Sequence, residues 1–223
     1  LEFRRVLFRS SFAVLMGVSF VVSSFVLTDG LTKTFDAIVE DSNSGLDAQV
    51  RARVDFEEVA FVDLPIDEGL VEVVAGVDGV DVAEPGFQSM LLVPIESDGD
   101  PVKTTGSPIL SFNWTDPEIS GLALVEGSAP EAAGEFVMDV DSADRYDFVV
   151  GEQYDVVGTA GREPFELVGL TRFGEDNAVA GAVLMSFTLD EVQRLSGLDG
   201  QLHWIDVAGD GVDADILVSR LNS

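Results

Sequence analysis

Apolar and polar positions fall into three patterns along the chain. The first is a run from Ser10 to Thr28 without a charged residue, interrupted only by Gly17 and by serines such as Ser19, Ser23 and Ser24, which membrane helices tolerate. Its length matches the roughly 20 residues that cross a bilayer core. A soluble core helix of that length carries a polar stripe, and none is present, so the pattern predicts a transmembrane helix over 11–28. Residues 1–10, "LEFRRVLFRS", start without Met and read as a cytoplasmic or non-native leader.

The second pattern has helical spacing and then strict alternation. In "TDGLTKTFDAIVEDSNSG" the apolar positions Leu31, Phe35, Ile38 and Val39 recur at helical intervals, Thr28 or Asp29 can cap the start, and Asn43-Ser44-Gly45 stops the run. This predicts a stalk helix over 29–45 that continues the membrane helix. "LDAQVRARV" then alternates, with Leu46, Ala48, Val50, Ala52 and Val54 on one face and Asp47, Gln49, Arg51 and Arg53 on the other. That is the pattern of a half-buried strand. "PIDEGLVEVVAGVDGVDVAEPGF" reads as a short helix, a glycine turn and a strand, "SMLLVPIES" as a strand, and "DGDP" as a turn.

The third pattern runs from 106 to 169, where strand-like pieces ("GLALVEG", "GEFVMDV", "EQYDVVG", "EPFELVGL") are punctuated by Gly, Pro and Asp, with one short helix in "DSADRYDF". After it the mixture of strand and helix resumes. "GAVLMSF" and "LHWIDVAG" are strands, "TLDEVQRLSG" is a helix opened by a Thr188–Glu191 capping box, and "DADILVSRL" begins a last helix. The fold class expected is therefore α+β. An N-terminal transmembrane helix precedes an extracytoplasmic domain whose α+β subdomain (46–105 and 170–223) carries an inserted β-rich subdomain (106–169).

Charge and composition narrow the partners. The 223 residues include 41 acidic against 12 basic, a net charge of -29, yet are 46% hydrophobic, so the chain can build a core. No Lys/Arg patch suited to phosphates is visible, which argues against nucleic acid, and an anionic membrane surface would repel the domain. Solubility explains the acidity more simply than cation binding does. A cleavable export signal is the nearest rival for the first segment, but "VLTDGLTKTF" offers no small-x-small cleavage site. An uncleaved anchor fits better. Arg4, Arg5 and Arg9 before the span and acids after it place the N-terminus in the cytoplasm and the rest outside.

No pattern calls for a catalytic residue, a cofactor or a metal. Cysteine is absent, which removes thiolate ligands and nucleophiles. His203 is the sole histidine; beside Trp204 in a strand it reads as a packed or surface side chain, and any Ser-His-Asp triad would depend on it alone. The acids Asp139, Asp141, Asp144 and Asp147 miss the EF-hand spacing, as do Asp210, Asp213 and Asp215, and they read as solvated turns and helix caps. Trp114, in "SFNWTDPE", is a sugar- or peptide-contacting residue or, more ordinarily, an anchor holding its loop to the core.

A series of phrases in order carries a family resemblance. "FVLTDGLTKTFDAIVEDSNSGLDAQVR" resembles the first membrane helix and stalk of ABC-transporter permeases of the MacB/FtsX type. "LALVEGSAPEAAGEFVMD", "VGEQYDVVG", "FELVGLTRFG" and "AGAVLMSFTLDEVQRLSG" are similar to phrases of the MacB-like periplasmic core domain. The resemblance covers nearly all of the chain after Ser11. It implies a non-enzymatic permease domain in a dimer, served by a separate cytoplasmic ABC ATPase, that couples ATPase motion to export or extraction of a lipoprotein, peptide or drug. A working permease has at least four spans and one is seen here, so the chain reads as a fragment. The helix from Ser11 to about Asp41 would be the lever, with Gly30 at the membrane exit as candidate hinge. The alternatives are a signal-anchored module that binds or regulates an envelope component, and an anchored hydrolase using two carboxylates.

Overall fold

The computed structural model describes residues 46–52, 64–104, 106–174, 177, 181–209 and 211–222. The expected membrane span, the stalk and Gly30 lie outside the described residues. Among the described residues no helix is long and apolar enough to cross a membrane.

In chain order the elements are β1 (Ala48–Arg51), β2 (Ile66–Asp67), α1 (Leu70–Ala75), β3 (Val80–Gly86), β4 (Gln88–Ser89), β5 (Val93–Pro94), β6 (Ile109–Asn113), α2 (Pro117–Ser120) and β7 (Leu122–Gly127). They continue with β8 (Glu135–Asp139), α3 (Val140–Arg145), β9 (Gln153–Gly158), β10 (Gly161–Phe173), β11 (Val183–Phe187), α4 (Leu189–Ser196), β12 (Gln201–Leu202), β13 (Trp204–Gly209) and α5 (Ala214–Leu221). This is the mixed α+β architecture expected from the sequence.

The strands form three sheets. An antiparallel sheet has the order β1-β13-β3, a large sheet runs β4-β6-β11-β8-β10-β9-β5 with β7 also on β10, and β12 pairs with β2. The large sheet takes in the 106–169 stretch together with β4 and β5 before it and β11 after it. β11 lies inside it, parallel to β6 and antiparallel to β8, and every residue of "VLMSF" is buried. A near-continuous apolar run is what a strand covered on both faces requires. β10 spans Gly161–Phe173 and pairs antiparallel with β9 along its first half and with β7 along its second.

Two main cores result. The larger gathers Phe87, Phe136, Phe165, Phe187, Met138, Met185, Val192 and Leu195, with Phe136 and Phe187 stacked at 5.8 Å and Phe165 edge-on to Phe187 at 5.5 Å. Each such side chain contributes about 1.5–3 kcal/mol by leaving water. The smaller core holds Val74, Leu202, Ile205, Val207 and Leu217, where α1 and α5 cover one face of the three-stranded sheet. Leu189 in the first turn of α4 packs against both cores, so this helix joins them.

Three local expectations change. The capping box at Thr188 does not form: the Thr188 side chain makes no cap hydrogen bond, and Glu191 turns instead to the guanidinium of Arg194 (2.8 Å) and the Gly134 N–H (3.3 Å). A charged partner outcompetes a neutral backbone donor. The strand expected in "SMLLVPIES" shrinks to Val93–Pro94, because Ser89 Oγ accepts the Leu91 N–H and turns the chain, leaving Met90 and Leu91 exposed while Leu92 is buried. Asp139, expected among the solvated turns and helix caps, does cap α3 but is fully buried.

Candidate functional site

The face of the three-stranded sheet turned away from the small core carries a cluster of polar side chains. β1 alternates, so Ala48 and Val50 face the small core while Gln49 and Arg51 face away. Register does the rest. Asp206 stands opposite Gln49 on one side and Glu84 on the other, and Trp204 stands opposite Arg51 and Gly86. Gln49 Nε2 donates to Asp206 Oδ1 at 2.6 Å, Trp204 Nε1 donates to Asp206 Oδ2 at 2.8 Å, and the Arg51 guanidinium lies 5.1 Å from the indole centroid. A Cβ on Gly86 would collide with the indole nitrogen, so the absence of a side chain there is what lets Trp204 lie across β3.

The electrostatics of this face are those of crowded carboxylates. Burial pushes Asp206 above the usual carboxylate range, opposed by hydrogen bonds from Gln49 and Trp204 and by the charge of Arg51. Glu84 is also raised, first by burial and then by the negative charges of Asp116 and Asp206. Two carboxylates directly opposite each other disfavour one another. Among the described residues no group of three or more His, Asp or Glu side chains is arranged to hold a metal ion.

His203 lies at the edge of this face and is structural in its contacts. Its Nδ1 accepts the Gln88 N–H at 3.1 Å, its own N–H donates to Gly86 O at 2.9 Å, and its ring packs on Phe87 at 4.7 Å. Trp114 is half-buried, and its N–H donates to Phe187 O at 2.7 Å, which fixes its loop to the end of β11. Of the acids singled out from the sequence, Asp141, Asp144, Asp147, Asp213 and Asp215 are exposed, Asp210 lies outside the described residues, and Asp213 caps α5 by accepting the Asp215 N–H at 3.0 Å. Among the described residues these acids are not gathered into one site.

Two arrangements were not legible in the sequence. Asp139 caps α3 by accepting the Ser142 N–H (3.0 Å), accepts the Leu184 N–H of β11 (2.8 Å), and accepts from Asn177 Nδ2 (3.4 Å). Arg194 on α4 forks onto both oxygens of Glu163 on β10, at 3.0 and 2.9 Å, while also holding Glu191. This bidentate pair keeps the Glu163 carboxyl below its usual range and raises the guanidinium. The cap on α3 is local and agrees with the helix-cap reading of Asp139, but the contacts to Leu184 and Asn177 and the Glu163–Arg194 pair join elements far apart in the chain, and the residue types themselves were the only advance signal.

Comparison with known proteins now identifies the fold. The sequence model of the MacB-like periplasmic core domain matches residues 9–223, and the chain belongs to that family. This bears out the resemblance carried by the ordered phrases. The fold is similar to the periplasmic region of MacB from Actinobacillus actinomycetemcomitans, with a TM-score of 0.59 and 12% identity, over 83% of this chain and 86% of that one. It is also similar to the extracellular domain of the noncanonic ABC-type transporter YknZ from Gram-positive bacteria, with a TM-score of 0.51 and 13% identity, over 78% and 94% of the two chains. At these identities the likeness is one of fold. No curated protein sequence matches the chain.

Proposed function

We propose that this chain is the extracytoplasmic domain of an ABC-transporter permease. In this reading the domain is non-catalytic and works in a permease dimer. It receives the motion of a separate cytoplasmic ATPase and passes it to an envelope substrate, a lipoprotein, peptide or drug, for export or extraction. The observation that carries the reading is the match to the MacB-like periplasmic core domain over residues 9–223. The charge-free run at 11–28 supports a membrane anchor beside it, and the absence of any nucleotide loop in the sequence is consistent with ATP being hydrolysed on another subunit.

The test is co-purification of the tagged permease from membranes with its ATPase subunit, followed by ATP hydrolysis measured with and without residues 46–222. Hydrolysis that responds to the deletion supports coupling through this domain; hydrolysis indifferent to it overturns the reading. Within the same scheme the helix from Ser11 to about Asp41 acts as the lever and Gly30 as its hinge. Gly30→Pro is then expected to uncouple hydrolysis from export, and unchanged export by that variant removes the lever.

A further inference from the structure

We infer that the crossover Pro85–Gln88 is a locked joint, which makes the three-stranded and eight-stranded sheets one rigid body rather than two lobes about a hinge. The chain passes from β3 to β4 through Phe87 alone. A hinge works when a few connecting residues are free to absorb a change in φ and ψ. Here the backbone polar groups of the connection are held from both sides.

Asn113, at the end of β6 in the large sheet, supplies one side. Its Oδ1 accepts the Phe87 N–H at 2.7 Å, its Nδ2 donates to Pro85 O at 2.7 Å, and its backbone N–H donates to Phe87 O at 3.3 Å. His203, at the entrance to β13, supplies the other. Its N–H donates to Gly86 O and its Nδ1 accepts the Gln88 N–H. The Phe87 side chain is fully buried in the larger core, so swinging the joint would drag an aromatic ring out of it. Asparagine is the one side chain of its length that offers both an acceptor and a donor. Its two partners here are an N–H and a carbonyl only two residues apart.

The second crossing, from β11 through α4 to β13, is tied as well. The Trp114 backbone N–H donates to Phe187 O at the end of β11, and buried Gln193 on α4 donates from Nε2 to Gln201 O (2.9 Å) and to Glu68 Oε2 (3.0 Å). Bending at either connection would break these hydrogen bonds, among them the buried one from the Phe87 N–H to Asn113 Oδ1. The consequence for transport rests on the permease reading: the domain would transmit motion as a unit, and bending would occur outside it. The joint itself does not depend on that reading.

The absence of cysteine gives a clean background for the test. Val73 on α1 and Val149 beyond α3 are 64% and 53% exposed, so Val73→Cys and Val149→Cys can carry spin labels in the full 223-residue chain. The expected result is a single narrow distance distribution, with the Phe87 and Gln88 amides exchanging as slowly as that of Met185 in β11. Two distance populations, or Phe87 and Gln88 exchanging about 100-fold faster than Met185, would mean a hinge and overturn the proposal. Asn113→Ala should speed exchange at Phe87 by about tenfold or more while Met185 stays protected, and should broaden the distances. If Phe87 and the distances do not respond, Asn113 is not the lock and the proposal fails. Should Asn113→Ala unfold the chain, seen as equal acceleration at Met185, His203→Phe takes its place: it keeps a ring against Phe87, removes the acceptor, and should speed Gln88 alone. Unchanged exchange at Gln88 in that variant would overturn the proposal.

Discussion

Asp139 lies fully buried at the end of β8 and accepts the backbone N–H of Leu184 from the neighbouring strand β11 at 2.8 Å, while its other oxygen caps α3. One carboxylate thus fixes a helix start and a strand, and it also accepts from Asn177, between β10 and β11 in the chain. Asn177 itself adopts φ 47 and accepts the Phe173 N–H at 3.0 Å. Asp139→Ala would leave buried donors unpaired, each costing about 1–3 kcal/mol, so a loss of about 3–5 kcal/mol is expected. Asp139→Asn keeps the shape but turns one acceptor into a donor facing an N–H, and should cost about 2 kcal/mol. Urea unfolding of both variants checks this, and equal stability of Asp139→Asn and the parent would show that the second oxygen is not needed.

Ser111 is the opposite case. It is fully buried on β6, beside Met185 of β11 and Ser89 of β4, and its Oγ has no hydrogen-bond partner among the described residues. Burying a hydroxyl without a partner costs about 1–3 kcal/mol on protein scales. Ser111→Ala removes the hydroxyl with almost no change of shape, so the midpoint of urea unfolding should rise, by about 1 kcal/mol in free energy. A fall of similar size would reveal a partner for the hydroxyl.

These two residues mark where sequence reasoning reaches and where it stops. The alternation in "LDAQVRARV" predicts which side chains of β1 face the core, and the apolar run of "GAVLMSF" predicts a buried strand, because both patterns are set by the strand's own period. The packed side chain expected at His203 rests on the same local logic. Asp139 looks like one more solvated acid because nothing in "DVDSADRYD" says that Leu184 and Asn177 will close over it. The pairing of Glu84 with Asp206 is hidden for the same reason, since it depends on the register between β3 and β13. The Thr188–Glu191 capping box is legible and still fails, because Arg194, three residues on, offers Glu191 a charged partner.

Glu84 and Glu163 pull the pH dependence of stability in opposite directions. Glu84 has a raised pKa in the folded state, so its contribution is fully present below the unfolded carboxyl value, about 4.3, and is lost as pH rises through the folded value. Glu84→Gln should therefore stabilise at pH 7, by only a few tenths of a kcal/mol (about 0.3–0.7) because the side chain is only half-buried and solvent screens the effect. The gain should vanish near pH 3. Glu163 has a lowered pKa from the Arg194 fork, so its contribution is present above the unfolded value and is lost as pH falls through the folded one. Arg194→Met should flatten the acid limb of the stability curve. Thermal unfolding from pH 3 to 8 separates the two, and an acid limb unchanged in Arg194→Met would remove the ion pair from the account.

Gly86 tests whether the polar sheet face is held by the indole that crosses it. A Cβ at this position would strike Trp204 Nε1, and the ring also holds Asp206 and lies beneath Arg51. In Gly86→Ala the indole must move, giving up its hydrogen bond to Asp206 and its contact with the guanidinium, and overpacking of this kind costs about 1–3 kcal/mol. Once displaced, the indole no longer donates to Asp206, and one of the two hydrogen bonds that hold that carboxyl down is gone, so its pKa should climb further. The chain has two tryptophans, so in a Trp114→Phe background the emission reports Trp204 alone. The expected outcome of Gly86→Ala is a red-shifted emission, easier quenching by acrylamide, and an Asp206 carboxyl resonance that titrates at higher pH than in the parent. Unchanged emission and titration would show that the sheet yields to the methyl group while the indole stays in place.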